Sequence, residues 1–224
     1  MDAPPDNARP DQTIFVVDDD PAVRKSLTRL LRSAGYHTSS FDSAETFLRC
    51  WAEHAMPGCV LLDLSMPGLD GLELQQRLNA SGLAIPLIFI TGHGDIPSTV
   101  SAMKAGAVDF LSKPIREEAL LGAVNEALER DRRRRRTRAE HKAVDRSYQT
   151  LTPREREVLA LVVGGLLNKQ IAAALGASEK TVKIHRGRVM EKMKARSVPD
   201  LVRAAQKLGI GPDTSSEGPA GPSR

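Results

Sequence analysis

At 224 residues the chain can form one large or two small domains, each able to bury a core, and no segment approaches the roughly eighteen consecutive apolar residues of a membrane span. A polar, proline-containing start bearing Asp2, Asp6 and Asp11 lacks the apolar stretch of a secretion signal, so a cytoplasmic protein is expected. The net charge of +4 conceals two opposed halves: residues 1–130 carry 11 Lys and Arg against 18 Asp and Glu, net −7, whereas residues 131–211 carry 20 against 8, net +12, which predicts cation and phosphoryl chemistry first and polyanion binding second.

In chain order, residues 1–12 read as a disordered leader, after which short apolar runs alternate with helical patterns. Strand patterns fall at 13–18, 37–41, 59–63, 86–91 and 108–112. Asp20-Pro21 has the form of an N-cap with proline in the first turn, followed by Val23, Leu27, Leu30 and Leu31 on one helical face until Gly35. Ser43 opens a second helix with Phe47 and Leu48, and a third runs through Leu72, Leu74 and Leu78. Asp95 caps a fourth, with Pro97 inside its start, and a fifth begins near Glu117. Five strand–helix units with short connections predict an α/β domain over 13–128: a doubly wound parallel sheet of five strands with helices on both faces. Cys50 and Cys59 match no metal spacing and no disulfide framework, and both are expected as reduced, buried thiols.

Beyond Ala127 the pattern turns polar through Arg132 to Arg136, with no apolar stripe, so 129–147 reads as a charged linker, either a solvated helical extension or coil. The arginine run is either a solvated face or a non-specific phosphate contact. A compact all-helical domain of four helices is predicted over 148–210. Thr152-Pro153-Arg154-Glu155 has the capping-box form, with Val158, Leu159, Leu161 and Val162 as core face and Gly164-Gly165 as its end. A short helix from Lys169 to Leu175 is broken by Gly176. Ser178 then caps a helix over 179–194, with Val182, Val189 and Met193 inward and Lys183, Arg186, Arg188 and Lys192 on the wetter side. A last helix, Pro199 to Leu208, buries Leu201, Val202 and Ala205, and 211–224 is Gly-, Ser- and Pro-rich and expected to be disordered.

The chemistry is written at the strand ends. Asp18 and Asp19 close the run Ile14-Phe15-Val16-Val17, and Asp63 closes Cys59-Val60-Leu61-Leu62. In a doubly wound parallel sheet strand C-termini meet at the topological switch point, where ligands bind, so three acids would gather in one small volume. Such a cluster suits a hard cation, Mg2+ or Mn2+, held by Asp19 and Asp63 directly, by Asp18 through water and by the backbone carbonyl of Ser65. It also leaves Asp63 as a carboxylate able to accept a phosphoryl group. Thr91 ends Leu87-Ile88-Phe89-Ile90 with a hydroxyl, and Lys113, preceding Pro114 in a bond that can be cis, supplies an ammonium; both fit a phosphoryl group. Asp20 is expected only to cap its helix. In the second domain Gly176-Ala177-Ser178 reads as the turn of a helix-turn-helix whose following helix enters the major groove. Ser178, Lys180 and Thr181 suit phosphate contacts; Lys183, Ile184, Arg186, Gly187 and Arg188 are candidates to face bases or backbone, Gly187 permitting close approach.

VVDDD at 16–20, LLDLSMPGLDG at 61–71, FITGHGD at 89–95 and DFLSKP at 109–114 resemble the receiver domain of bacterial response regulators, and their joint order and spacing over 13–128 make the match specific. LTPREREVLALVVGGLLNKQIA at 151–172 and SEKTVKIHRGRVMEKM at 178–193 resemble DNA-binding domains of the LuxR/NarL type, and the combination is similar to the FixJ/StyR branch. The resemblance implies a flavodoxin-like sheet order of 2-1-3-4-5, Asp63 as acceptor from a sensor histidine kinase, Asp18 and Asp19 on magnesium, and Thr91 and Lys113 on the phosphoryl group. It makes Phe110, with Thr91, a switch residue, and ties Ser65 and Gly92 to dephosphorylation rate. It implies a cytoplasmic transcriptional regulator, expected to be an activator, that forms a homodimer when phosphorylated, binds promoter DNA and contacts RNA polymerase, and that is not a turnover enzyme. Two other readings compete: a phosphatase or phosphotransferase built on Asp18 and Asp20, and a DNA-binding protein whose first domain only dimerises.

Overall fold

The computed structural model describes residues 12–53, 56–81, 85–92 and 96–211. The expected leader, the tail beyond Gly211 and the Asp95 cap lie outside them. The chain divides into two compact units, Met1–Arg135 and Arg136–Arg224.

The first unit is a five-stranded parallel sheet: β1 (Thr13–Val17), β2 (His37–Phe41), β3 (Gly58–Asp63), β4 (Leu87–Thr91) and β5 (Asp109–Ser112), in the order β2-β1-β3-β4-β5. Helices alternate with strands: α1 (Pro21–Ser33), α2 (Ala44–Glu53), α3 (Gly71–Ala80), α4 (Ile96–Lys104) and α5 (Glu117–Gln149). Because strand side chains alternate, one face sends Phe15, Val17, Val60, Leu62 and Phe89 against α2, α3 and α4, and the other sends Ile14, Val16, Leu61, Ile88 and Ile90 against α1 and α5. β1, β3 and β4 are buried on both faces, which is why they read as unbroken apolar runs, whereas the edge strand β2 is polar and partly exposed.

Local signals set the helix starts. Asp20 accepts the amide hydrogen of Ala22 to cap α1. Asp70 and Glu73 form a reciprocal capping box on α3, a D-x-x-E spacing that apolar periodicity does not mark. Gly71 is required there by contact: a Cβ would stand 2.6 Å from the carbonyl oxygen of Asp63 and 3.0 Å from the ring of Phe89, so only glycine lets α3 start against the end of β3. Cys59 is fully buried, and burial pushes its thiol pKa well up, whereas Cys50 is only half-buried because α2 turns it toward the rim; both are free.

The segment expected as linker is helical throughout as part of α5, and it is less featureless than its composition implied. Asp131 is fully buried; its Oδ2 accepts from the amide of Gly58 at 3.0 Å and from Arg135 Nε at 2.8 Å, and Arg135 Nη2 donates to the carbonyl of Met56 at 2.7 Å. Arg130, Arg132, Arg133 and Arg136 pair with Glu126, Glu129 and Glu140 three or four residues away along the same helix.

The second unit packs α6 (Pro153–Val163), α7 (Asn168–Leu175), α8 (Glu179–Lys192) and α9 (Val198–Lys207) around Val158, Leu159, Val162, Ile171, Val182, Val189, Leu201 and Ala205. Val144, from the stretch expected to lack an apolar face, packs on this core together with Tyr148, and Val202 is half-buried at its margin rather than enclosed. Thr152 and Glu155 close the capping box of α6, and Gly176 ends α7 in the left-handed region at φ 60°. Among the described residues no helix is long and apolar enough to cross a membrane.

Candidate functional site

The parallel register carries the acids to one end of the sheet. Asp18 follows β1, Asp63 ends β3 and Thr91 ends β4; Asp63 lies beside Ile90 and Thr91 beside Ser112 on β5, with Lys113 the next residue. Ligand oxygens of Asp18, Asp19 and Asp63 lie within 4.8 Å of one another, Asp18 and Asp63 buried and Asp19 exposed. Lys113 Nζ donates to Asp18 Oδ2 and to Asp63 Oδ2, each at 2.9 Å. Thr91 is buried, and its carbonyl accepts the Lys113 amide at 2.7 Å; the Lys113-Pro114 bond is cis. Ser65 is exposed, and its amide donates to Asp63 Oδ1 at 3.3 Å. An added Cβ at Gly92 would meet nothing within 4 Å among the described residues outside its own chain neighbours. The half-buried Phe110 has its ring 6.3 Å from that of Phe89, within the aromatic side of the core.

Burial raises the pKa of Asp18, and proximity to Asp63 adds to this, against the lowering by Lys113 and by the Asp20 amide. Burial alone would depress Lys113, but its hydrogen bonds to Asp18 and Asp63 raise it. The two shifts do not mirror each other: the lysine profits from two carboxylates, while Asp18 shares one ammonium with a like charge. The pocket thus holds an excess of negative charge over one ammonium, in oxygen ligands that suit a hard divalent cation. One supporting residue escaped the sequence reading: Arg24 Nη1 donates to the carbonyls of Asp18 at 2.7 Å and Asp19 at 2.8 Å, bracing the turn that presents both acids. Its one-turn spacing from Asp20 is the only hint that the sequence contains. Asp20 is exposed and spends its carboxylate on the helix cap.

In the second unit, Ser178 caps α8 by accepting the Thr181 amide at 3.1 Å, and the two hydroxyls lie 2.9 Å apart. Lys180, Lys183, Ile184 and Gly187 follow at i, i+3, i+4 and i+7 and share an exposed face with Thr181 and Arg188 beside it. Ile184 is 49% exposed, unusual for a side chain of that size and suited to an apolar contact such as a thymine methyl group. Two cations depart from the expected surface. Arg186 is half-buried and donates to Asn168 Oδ1 at 3.0 Å, tying α8 to the start of α7. Lys192 donates to Glu155 Oε2 at 2.6 Å and to the Thr150 carbonyl, and this bond holds the buried Glu155 carboxyl below its ordinary pKa. A carboxylate fixed by a capping box attracts the nearest lysine, so Lys192 belongs to the bundle's interior chemistry.

A doubly wound domain with an acid, hydroxyl and lysine pocket, joined to a helix-turn-helix bundle, defines a signal-receiving DNA-binding protein. Family comparison assigns each part: residues 14–125 match the response regulator receiver domain, and residues 149–205 match the bacterial regulatory proteins of the luxR family. Nodulation protein W of Bradyrhizobium diazoefficiens is 52% identical over 200 residues, spanning 88% of this chain and 86% of its own. The transcriptional regulatory protein FixJ of Azorhizobium caulinodans is 45% identical over 202 residues, spanning 89% and 94%. The solved structure of response regulator StyR matches with a TM-score of 0.79 at 49% identity, covering 88% of this chain and 99% of that one. The chain belongs to the response regulators that pair a receiver domain with a LuxR-type DNA-binding domain, and it is a phosphorylation-dependent transcriptional regulator.

Proposed function

We propose that Asp63 is the residue that takes the phosphoryl group, from a sensor histidine kinase, and that this event controls promoter binding by α8. The observation that carries this reading is the convergence of Asp18, Asp19, Asp63, Thr91 and Lys113, drawn from four strand ends, at one end of the sheet. Asp63 offers a carboxylate oxygen as nucleophile. Lys113, already bonded to Asp63, can follow the charge onto a phosphoryl oxygen, and the Thr91 hydroxyl can donate to another. Asp19, Asp63 and the Ser65 carbonyl would hold Mg2+ or Mn2+ directly, with Asp18 behind a water. A cation there would neutralise the phosphoryl oxygens entering an acidic pocket. Phe110, which pairs with Phe89 in the register two residues before Thr91, is the aromatic group whose packing would report a shift of the threonine.

The domain division that goes with this reading is a receiver over 13–128, a charged connector over 129–147 and a DNA-binding domain over 148–210. We read the receiver as a stoichiometric acceptor of phosphoryl groups, not a turnover enzyme, in a cytoplasmic regulator that dimerises when phosphorylated and activates transcription through RNA polymerase. Dimerisation draws support from α4, where Ile96, Val100 and Met103 are 79%, 42% and 43% exposed. On α8 we assign Lys180, Thr181, Ser178 and Arg188 to phosphates and Lys183, Ile184 and Gly187 to the groove, with Arg186 contributing through its hold on Asn168. Labelling with radioactive acetyl phosphate tests the acceptor: Asp63→Asn should remain unlabelled while keeping its fold, and persistent labelling of that variant rejects the assignment. The phosphatase reading needs Asp20 free beside Asp18, and its carboxylate caps α1 instead; turnover of a generic phosphomonoester with Mg2+ would revive it.

A further inference from the structure

Four of the nine Lys and Arg residues between positions 12 and 128 line one groove, in a half of the chain whose net charge is −7. The groove lies between α1 and the edge strand β2, has a volume of about 600 Å³, and is lined by Arg24, Lys25, Thr28, Arg29, Arg32 and Ser40. A second cavity of about 540 Å³ adjoins it at Arg32 and extends past His37, Thr38 and Ser39 along the same edge, adding polar groups but no further Lys or Arg. No carboxylate is among the described residues lining either one. The nearest acids in sequence are engaged elsewhere: Asp20 caps α1, and Asp42 accepts hydrogen bonds from Ser43 and Thr46 while facing Arg24.

The donors are arranged for an anion of some length. Arg24 and Arg32 are anchored, the first on the Asp18 and Asp19 carbonyls and the second on Thr38 Oγ1 at 2.9 Å, and each guanidinium keeps further N–H groups in its fork. Lys25 and Arg29 are exposed, with no partner among the described residues, and lie one helical turn apart, about 6 Å along α1. Thr28 lies between them, its Oγ1 buried and without a partner. An unpartnered buried hydroxyl beside anchored and free cations leaves donor capacity that the protein itself does not use. Among the described residues β2 pairs only with β1, so the strand beside the groove is the edge of the sheet. Small-molecule sites have volumes in this range. An isolated phosphate would meet only one turn of this run, whereas a di- or triphosphate spans it.

We infer that the α1–β2 groove is a binding site for a small molecule bearing two or more phosphate groups, with Arg24, Lys25, Arg29 and Arg32 supplying the charge and Thr28 and Ser40 the hydroxyls. The site is separate from the acid pocket and does not depend on the role of Asp63. The test titrates the 15N-labelled full chain with inorganic pyrophosphate in magnesium-free buffer containing chelator and about 0.1 M salt, where screening length is about 10 Å. Saturable amide shifts should gather at Lys25, Thr28, Arg29 and Ser40, with inorganic phosphate binding more weakly. Lys25→Ala with Arg29→Ala should weaken pyrophosphate at least about tenfold, equivalent to ~1.4 kcal/mol, while leaving the Trp51 fluorescence unfolding curve unchanged. Non-saturating shifts, shifts confined to 132–136 or 178–188, or an unaltered affinity in the double variant would overturn the proposal. A short DNA duplex that perturbs the groove amides at lower concentration than pyrophosphate would overturn it in favour of a nucleic-acid surface.

Discussion

Lys113 is the single ammonium on two carboxylates, so replacing it with methionine, similar in length and uncharged, asks how much of the receiver's stability this pocket consumes. Two charge-assisted hydrogen bonds of 2.9 Å are lost. At the lower end of the usual range, about 1.5 kcal/mol each for a lysine that is partly exposed, this is ~3 kcal/mol. The remaining acids, with oxygens within 4.8 Å, repel one another by about 3.5 kcal/mol at an effective dielectric of 20, and water entering the vacated space screens part of it. A deficit of about 3–5 kcal/mol at pH 8 follows. Its pH dependence has a definite sign. The folded-state pKa of Asp18 is already raised by burial, and removing Lys113 deletes an opposing influence and raises it further. An acid whose folded pKa exceeds its unfolded value gains stability as pH falls through the folded pKa, so the deficit should shrink at pH 5. Urea unfolding followed by the fluorescence of Trp51, the single tryptophan and a buried core residue of this unit, gives the measurement at both pH values. A variant as stable as its parent at pH 8, or a deficit that is undiminished at pH 5, refutes the reasoning.

The DNA-binding unit carries its own titrating pair. Lys192→Met leaves Glu155 buried without its partner and should cost about 2 kcal/mol, less than a fully enclosed pair because the lysine is one-third exposed. Because Lys192 and the cap hold Glu155 below its ordinary pKa, the pair stabilises above about pH 4.5 and its contribution is lost as pH falls through the depressed folded value; hydrogen exchange of α6 amides should show the variant's deficit at pH 7 and not in strong acid. On α8, Lys180→Ala and Ile184→Ala separate charge from shape. Loss of Lys180, assigned to a phosphate, should lower the salt slope of promoter binding by about one unit, whereas Ile184→Ala should reduce sequence preference at an unchanged slope, and identical salt plots with unaltered preference for both would show that this face does not meet DNA.

Much of the receiver is legible in the chain because its signals are local or strictly periodic. Apolar runs that end in Asp18, Asp63 and Thr91 mark strands buried on both faces, and Asp20-Pro21, Thr152-Pro153 and Ser178 mark helix starts, since capping is decided within four residues. The opposition of an acidic half and a basic half is likewise a property of composition. Pairings between distant residues are not written this way. That Lys113 reaches Asp18 and Asp63 together, that Arg24 braces the turn, that Asp131 sinks against Gly58, and that Lys192 and Arg186 turn to Glu155 and Asn168 depends on packing that brings separate elements within 3 Å or so. A charged residue reads in sequence as solvated until the fold supplies a buried partner. Elements, sheet order and the carboxylates that close its strands follow from patterns along the chain, whereas which cations serve the interior and which stay exposed is settled in three dimensions, because desolvation and pairing act through space and leave no period along the chain.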